Sequence, residues 1–120
     1  MTHTQDTFDL EDLRVICRAL PGTTEDVKWG ADLCFCVAGK MYAVTGLESG
    51  GVSLKTTPET FAELVQRPGI EPAAYVARYH WVSLAEDPLP LPTEQIAELV
   101  RESYALVRAK LPKRVRDALG

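Results

Sequence analysis

The sequence predicts an α+β fold, a two-layer sandwich in which an antiparallel sheet of about five strands carries helices on one face. Three observations lead to this class. First, three segments repeat apolar residues at three- and four-residue steps, as helices do. Second, short alternating or apolar segments, typical of strands, lie between them. Third, glycine or proline stands at most junctions, where turns are expected. Because no internal repeat, low-complexity run or linker interrupts the chain, residues 1–120 are expected to form a single domain, with residues 1–7 disordered.

Each helical segment starts at a residue that can cap it. Asp9, Thr57 and Thr93 can accept hydrogen bonds from free backbone N–H groups, and Pro58 suits the first turn of the second helix. The third predicted helix is the longest and runs from residue 94 to about residue 111, followed by a short basic turn. The three apolar stripes are Leu10, Leu13, Ile16, Cys17 and Leu20; Phe61, Leu64 and Val65; and Ile96, Leu99, Val100, Tyr104, Val107 and Leu111.

Residues 33–45 are predicted to form the central hairpin of the sheet. Gly39 and Lys40 are its expected loop, because glycine at the first central position permits the positive φ of a type II′ turn. Alternation along the two strands then separates two faces. The bulky face, which is expected to receive the helices, contains Leu33, Phe35, Val37, Tyr42 and Val44. The smaller face contains Cys34, Cys36, Ala43 and Thr45.

Other strands are predicted from short alternating or β-branched runs, and a helical turn is expected between two of them. The predicted strands are residues 27–29 at an edge, 52–55 and 80–84, and the helical turn lies around residues 72–77. If Val82 and Leu84 enter the core, Trp81 lies on the opposite, open face of the sheet. Its neighbours there are Met41, Ser53, Lys55 and Ser83.

An aromatic residue beside a lysine gives this open face three possible roles. Trp81 can stack a nucleic-acid base while Lys55 neutralises a phosphate. Tryptophan is also enriched at protein interfaces, and large aromatic side chains are commonly buried for packing alone. Nucleic-acid binding, protein binding and packing therefore stay open at this point.

Charge is distributed unevenly along the chain. The net charge of −4 disfavours indiscriminate phosphate binding, yet the last twenty residues are basic. Cations near the C-terminal end of a helix also interact favourably with its dipole, which is the simpler explanation of that basic run.

The chain has no apolar stretch long enough for a membrane span and no signal pattern, so a cytoplasmic location without membrane contact is expected.

Motifs for catalysis or metal binding are weak. Cys34 and Cys36 should lie on one face of a strand, where two thiolates suit zinc or copper, but further ligands at typical spacing are missing and buried packing is the alternative. An odd number of cysteines argues against a disulfide framework. His80 is a general-base candidate without a clear partner, and phosphate-loop, nucleophile-elbow and zinc-protease motifs are absent. We expect no enzyme activity, no cofactor and no metal.

Five stretches, taken in order, resemble the MmcQ/YjbR family. They are ALPGTTED at residues 19–26, KWG at 28–30, FCVAGKMY at 35–42, RYHWV at 78–82 and SYxxVxxKLPK at 103–113. The similarity spans roughly residues 10–115. The resemblance implies a small α+β fold with an antiparallel sheet backed by helices, similar to secretion-chaperone and frataxin-like folds. Members of the family are commonly labelled DNA-binding, on the basis of fold analogy.

These observations together predict a cytoplasmic, non-enzymatic binding protein whose nominal ligand is DNA. The expected contacts are cations for phosphate and Trp81 for stacking. They are Lys55, Arg78, His80, Trp81, Lys110, Lys113 and Arg114. The alternative is a protein-interaction or homodimerisation module that uses the open sheet face, and a metal or small-ligand site near Cys34 and Cys36 is a third hypothesis.

Overall fold

The computed structural model describes residues 8–47, 50–74, 76, 79–86 and 89–119. They form a six-stranded antiparallel sheet with the strand order β1-β2-β3-β4-β6-β5, and four helices. The elements are α1 (Leu10–Arg18), β1 (Thr23–Lys28), β2 (Asp32–Val37), β3 (Lys40–Gly46), β4 (Gly50–Lys55), α2 (Pro58–Leu64), β5 (Ile70–Pro72), β6 (Trp81–Leu84), α3 (Thr93–Ala109) and α4 (Lys113–Leu119). The predicted α+β class is confirmed.

Two of the three predicted helix caps are present. Asp9 accepts from the backbone N–H of Asp12, whose carboxylate accepts from the N–H of Asp9, so α1 starts with a capping box. Thr57 accepts from the N–H of Thr60 at 3.2 Å. The third prediction is wrong, because Thr93 is the first residue of α3 and Pro92 holds the cap position without a side-chain bond.

The hairpin loop lies one residue earlier than predicted. Val37 pairs with Lys40, so the loop is Ala38-Gly39 and not Gly39-Lys40. Both loop residues have positive φ, 50° at Ala38 and 79° at Gly39, as a type I′ turn requires. The turn that matches the twist of the strands therefore places alanine in a conformation that it rarely adopts.

An irregularity in β3 changes the predicted sheet faces. Cys36 pairs with Met41 and Phe35 with Ala43, which leaves Tyr42 as an extra, bulged residue. Beyond the bulge, Val44 lies opposite Cys34 and Thr45 opposite Leu33, so Val44 belongs to the open face and Ala43 and Thr45 to the helix-covered face. Tyr42 stays in the core, with its hydroxyl 2.7 Å from Thr23 Oγ1.

Two strands extend the sheet beyond the prediction. The first edge strand covers Thr23–Lys28 instead of three residues, and Ile70–Pro72 forms the other edge where a helical turn was expected to start. Proline is tolerated there because an edge strand leaves one side of its backbone unpaired. Part of the expected turn, including residues 75 and 77, lies outside the described residues.

The core lies between the helices and one sheet face. Its fully buried members come from α1, α2, the sheet and α3, and include Leu13, Phe35, Leu54, Leu64 and Val100. Arg14 of α1 also reaches Glu25 of β1 at 3.1 Å. None of the described helices combines the length and the apolar content that a membrane crossing needs.

Candidate functional site

The end of β4 is held by a serine from helix α3. Ser103 is fully buried, and its hydroxyl accepts a hydrogen bond from the backbone N–H of Lys55 at 2.9 Å and donates one to the carbonyl of Tyr42 at 2.6 Å. The bulge at Tyr42 ends the direct pairing of β3 with β4 at this point. The serine therefore takes the place of a missing ladder bond and fixes the backbone from which the Lys55 side chain extends.

Three lysines surround a cleft at this end of the sheet. Lys40 begins β3, Lys55 ends β4 and Lys110 is the C-cap residue of α3. The cleft has a volume of about 550 Å³ and is also lined by Met41, Tyr79, Trp81, Val107 and Leu111. We call it the lysine cleft. Sequence positions as distant as 40 and 110 thus contribute to one concave surface.

The two aromatic residues of the lysine cleft differ in exposure. Trp81 lies opposite Lys55 on the open face, as predicted, but it is only 6% exposed. The indole therefore forms the floor of the cleft and is not open to stacking, which corrects the role predicted for it. Tyr79 is 49% exposed, and its ring centroid lies 5.9 Å from Lys55 Nζ. The accessible aromatic surface is that of Tyr79.

The lysine cleft contains three positive charges. None of the described residues that line it is acidic, and among them no carboxylate lies within 4.0 Å of the three ammonium groups. Lys55 Nζ donates to the carbonyl of Tyr79 at 3.1 Å. Partial burial, and secondly the charge of Lys110, lower the pKa of Lys55. A bound anion would relieve the repulsion between these cations.

A cleft at the opposite end of the sheet has the opposite charge. A second cleft, of about 410 Å³, lies where β2, β3 and β4 meet the end of β6. Three of its lining residues are acidic, Asp32, Glu71 and Glu86, and none of the described lining residues is basic. Ser53 and Ser83, which also line this second cleft, are hydrogen-bonded at 3.0 Å across β4 and β6. Charge is therefore separated along the strands.

Three of the four remaining predicted contacts do not line the lysine cleft. His80 has φ of 66°, and its ring packs edge-on against Phe61 of α2 with centroids 5.6 Å apart. Lys113 forms an ion pair with Asp117 at 2.8 Å on exposed α4, and Arg114 is exposed on the same helix. Arg78 lies outside the described residues. Of the six predicted contacts that the structure describes, it brings together Lys55, Trp81 and Lys110.

Much of the basic C-terminal run has a structural role. Arg116 donates to the carbonyls of Ala109 and Leu111 at 3.0 and 3.1 Å, and so caps the end of α3. Arg108 reaches back to the carbonyl of Arg116 at 3.2 Å. These bonds hold α4 against the end of α3, as expected for cations at a helix C-terminus.

The cysteines are buried thiols. Burial raises the pKa of Cys17 to about 11, and burial is also the main cause of the raised pKa of Cys34 and of Cys36. Thiols of this kind are weak nucleophiles near neutral pH, because the thiolate is the reactive form. Within the described ranges, no group of three or more His, Cys, Asp or Glu side chains is arranged to hold a metal ion.

Comparison with known proteins places the chain in a family. The family model described as YjbR matches residues 18–106. The chain belongs to the YjbR family. The resemblance found in the sequence is thus confirmed, and the lysine cleft extends just beyond the matched range, since Val107, Lys110 and Leu111 follow residue 106.

Solved structures share the fold of this YjbR-family chain. A crystal structure of a Deinococcus radiodurans protein with the domain DUF419 is 32% identical in sequence and has a TM-score of 0.84. The match covers 98% of this chain and 92% of the Deinococcus chain. The structure of a Pseudomonas syringae protein is 26% identical in sequence and has a TM-score of 0.57. The match covers 70% of this chain and 86% of the Pseudomonas chain. No curated protein matches the sequence.

Sequence reasoning missed two residues of the lysine cleft in this YjbR-family protein. A loop at Gly39-Lys40 hides the role of Lys40, whereas the type I′ turn at Ala38-Gly39 makes Lys40 the first residue of a strand. Tyr79 falls between the predicted helical turn around residues 72–77 and the predicted strand at 80–84. Its position immediately before the strand that carries Trp81 was the available signal.

Proposed function

We propose that this YjbR-family protein binds DNA through the lysine cleft. The observation that carries the proposal is the convergence of Lys40, Lys55 and Lys110 on one cleft whose described lining contains no carboxylate. Affinity for nucleic acid comes largely from lysines and arginines that neutralise phosphates. Because the chain as a whole carries a net charge of −4, a local concentration of cations is needed for such binding.

We further propose that the protein binds without catalysing a reaction. Support comes from the state of its candidate nucleophiles and base. The thiols of Cys17, Cys34 and Cys36 are buried, and burial raises the pKa of each. The His80 ring packs against Phe61. A nucleophile and a general base within hydrogen-bonding reach of each other are the usual requirement for covalent catalysis.

Fluorescence anisotropy with labelled DNA at about 50 mM salt tests the DNA-binding proposal, because electrostatic contacts are strongest at low ionic strength. A triple variant that combines Lys40→Met, Lys55→Met and Lys110→Met keeps long apolar side chains in the cleft and removes its three positive charges. We expect this triple variant to lose binding. The Lys113→Ala and Arg114→Ala double variant is the control, since neither residue lines the cleft, and we expect it to bind as the wild type does. Loss of binding in the double variant alone, or no binding by the wild type, would refute the assignment to the cleft.

Self-association is a second candidate function. Trp29, in the turn after edge strand β1, is 71% exposed, and Val27 and Leu47 are exposed at the same end of the sheet. The acidic cleft lies at that end, so its charge is complementary to the lysine cleft of a second copy. Sedimentation velocity of the wild type and of Trp29→Ser tests this candidate. A dimer that Trp29→Ser dissociates supports it, and a monomer at about 100 µM, well above the micromolar dissociation constants of weak complexes, excludes it.

A further inference from the structure

We infer that the lysine cleft takes an unpaired nucleotide, so that the ligand is single-stranded DNA in preference to duplex DNA. This inference rests on the proposed function and makes its ligand class specific. The reasons are the shape of the cleft, the pairing of an exposed ring with a cation, and the surfaces of the helices.

The shape of the lysine cleft favours a flexible strand. Its volume of about 550 Å³ lies within the range of about 300–1,000 Å³ that small-molecule sites occupy. Its floor contains the buried side chains of Trp81 and Leu111. Bases of a duplex are paired and stacked inside the helix, whereas an unpaired nucleotide can turn into a concave site of this size.

The chemistry of the cleft matches the two halves of one nucleotide. Tyr79 offers a half-exposed ring, and the Lys55 ammonium lies 5.9 Å from the centre of that ring. Proteins that bind single strands combine aromatic rings for base stacking with cations that follow the backbone. Lys40 and Lys110 line the same cleft and are available to the neighbouring phosphates.

The described helices are poorly suited to a duplex. Duplex readers insert a helix or a two-stranded ribbon into a groove while cations hold the phosphates on either side. The exposed face of α3 carries Glu94, Glu98 and Glu102, which repel phosphate. Helix α4 has only seven residues, and two of its cations are engaged, Lys113 with Asp117 and Arg116 with backbone carbonyls.

Salt dependence gives the inference a numerical signature. For single strands, log K falls with log[salt] by about 0.7 for each phosphate contact, so three lysines predict a slope of about −2. Removing one of them by Lys110→Met should change the slope to about −1.4. Lys28→Met is the matched control, because Lys28 ends β1 at the opposite end of the sheet and does not line the cleft.

The experiment compares a labelled twelve-nucleotide oligothymidine with a duplex of the same length, measured by anisotropy on the intact chain. We expect the single strand to bind at least tenfold more tightly. Tyr79→Ala should weaken single-strand binding by about 5- to 100-fold, the range for loss of one stacked base, while Tyr79→Phe should retain it. Far-UV circular dichroism of each variant checks that it is folded.

The possible results distinguish failure of the single-strand inference from failure of the DNA-binding proposal. Duplex binding that equals or exceeds single-strand binding, or an unchanged affinity of folded Tyr79→Ala, would overturn the single-strand inference and leave DNA binding by the cleft intact. No binding of either DNA would overturn the proposed function itself. If Lys28→Met lowers the salt slope as much as Lys110→Met does, the contacts are spread over the surface and the assignment to the cleft is wrong.

Discussion

The Ser103 hydroxyl accepts a hydrogen bond from the backbone N–H of Lys55 at 2.9 Å, and this bond ties the longest helix to the strand end that supplies a cation of the lysine cleft. The same hydroxyl donates to the carbonyl of Tyr42. Burial of this small polar group couples the stability of the fold to the geometry of the candidate site.

Ser103→Ala should destabilise the protein by about 2 to 4 kcal/mol. The buried carbonyl of Tyr42 loses its partner, which costs about 1–3 kcal/mol, and the part-buried N–H of Lys55 loses a bond worth about 1 kcal/mol. Urea denaturation followed by circular dichroism measures the change. Ser83→Ala is the control. It removes a bond to Ser53 on the half-exposed sheet face and should cost about 1 kcal/mol or less. Equal effects of the two substitutions would contradict the role assigned to Ser103.

Arg116→Ala should lower the free energy of unfolding by about 1 to 2 kcal/mol, since it uncaps the carbonyls of Ala109 and Leu111. Arg114→Ala removes the same charge from an exposed position and should stay within about 0.5 kcal/mol of the wild type. Thermal unfolding of both variants gives the comparison. A larger effect of Arg114→Ala would show that the two arginines have been assigned the wrong roles.

Cys17 should make the protein less stable at high pH. Burial raises the pKa of its thiol from 9.0 to about 11, so the unfolded chain loses this proton before the folded chain does. The stabilisation is complete below pH 9 and is lost as pH rises from about 9 to 11, by up to about 3 kcal/mol. Urea denaturation across this range should show a steeper decline for the wild type than for Cys17→Ala. Parallel declines would mean that the thiol titrates normally.

Removing the charge of Lys110 should bring the pKa of Lys55 closer to its ordinary value. Burial lowers this pKa first and repulsion from Lys110 adds to it, so Lys110→Met removes the second cause only. NMR titration of isotopically methylated lysines follows the Lys55 signal directly. Lys113→Met serves as the comparison and should leave the Lys55 pKa where it is, because Lys113 pairs with Asp117 on α4.

Ala38→Asn should stabilise the hairpin by about 0.5 to 1 kcal/mol, because asparagine tolerates the positive φ that a type I′ turn demands at its first position. Ala38→Val should have the opposite sign, since a β-branched side chain strains this conformation. Chemical denaturation measures both. A stabilising valine at this position would be inconsistent with the turn.

The fold was largely predictable from local signals. Apolar spacing and the caps Asp9 and Thr57 act within a few residues, and they located α1 and α2 correctly. The hairpin loop was misplaced by one residue because sequence alone does not reveal that Ala38 accepts a positive φ. The carbonyl of Tyr42, at the bulge, accepts its hydrogen bond from Ser103, sixty-one residues later, and no local sequence pattern predicts this contact.

The candidate site was predicted only in part for a similar reason. Lys55 and Trp81 follow from strand alternation, which is local. The exposure of Trp81 depends on what surrounds that sheet end, and Val107 and Leu111 of α3 line the same cleft. Lys40 and Lys110 meet Lys55 only because α3 crosses the sheet near the bulge.

Separation of charge along the strands has a kinetic consequence. Beyond a Debye length of about 8 Å at physiological ionic strength, a polyanion meets a protein of like net charge, −4, and is weakly repelled. Closer in, the lysine cleft attracts a polyanion and the acidic cleft at the other end of the strands repels it. The end of the sheet that faces an approaching polyanion therefore determines whether the two molecules attract or repel each other before they touch.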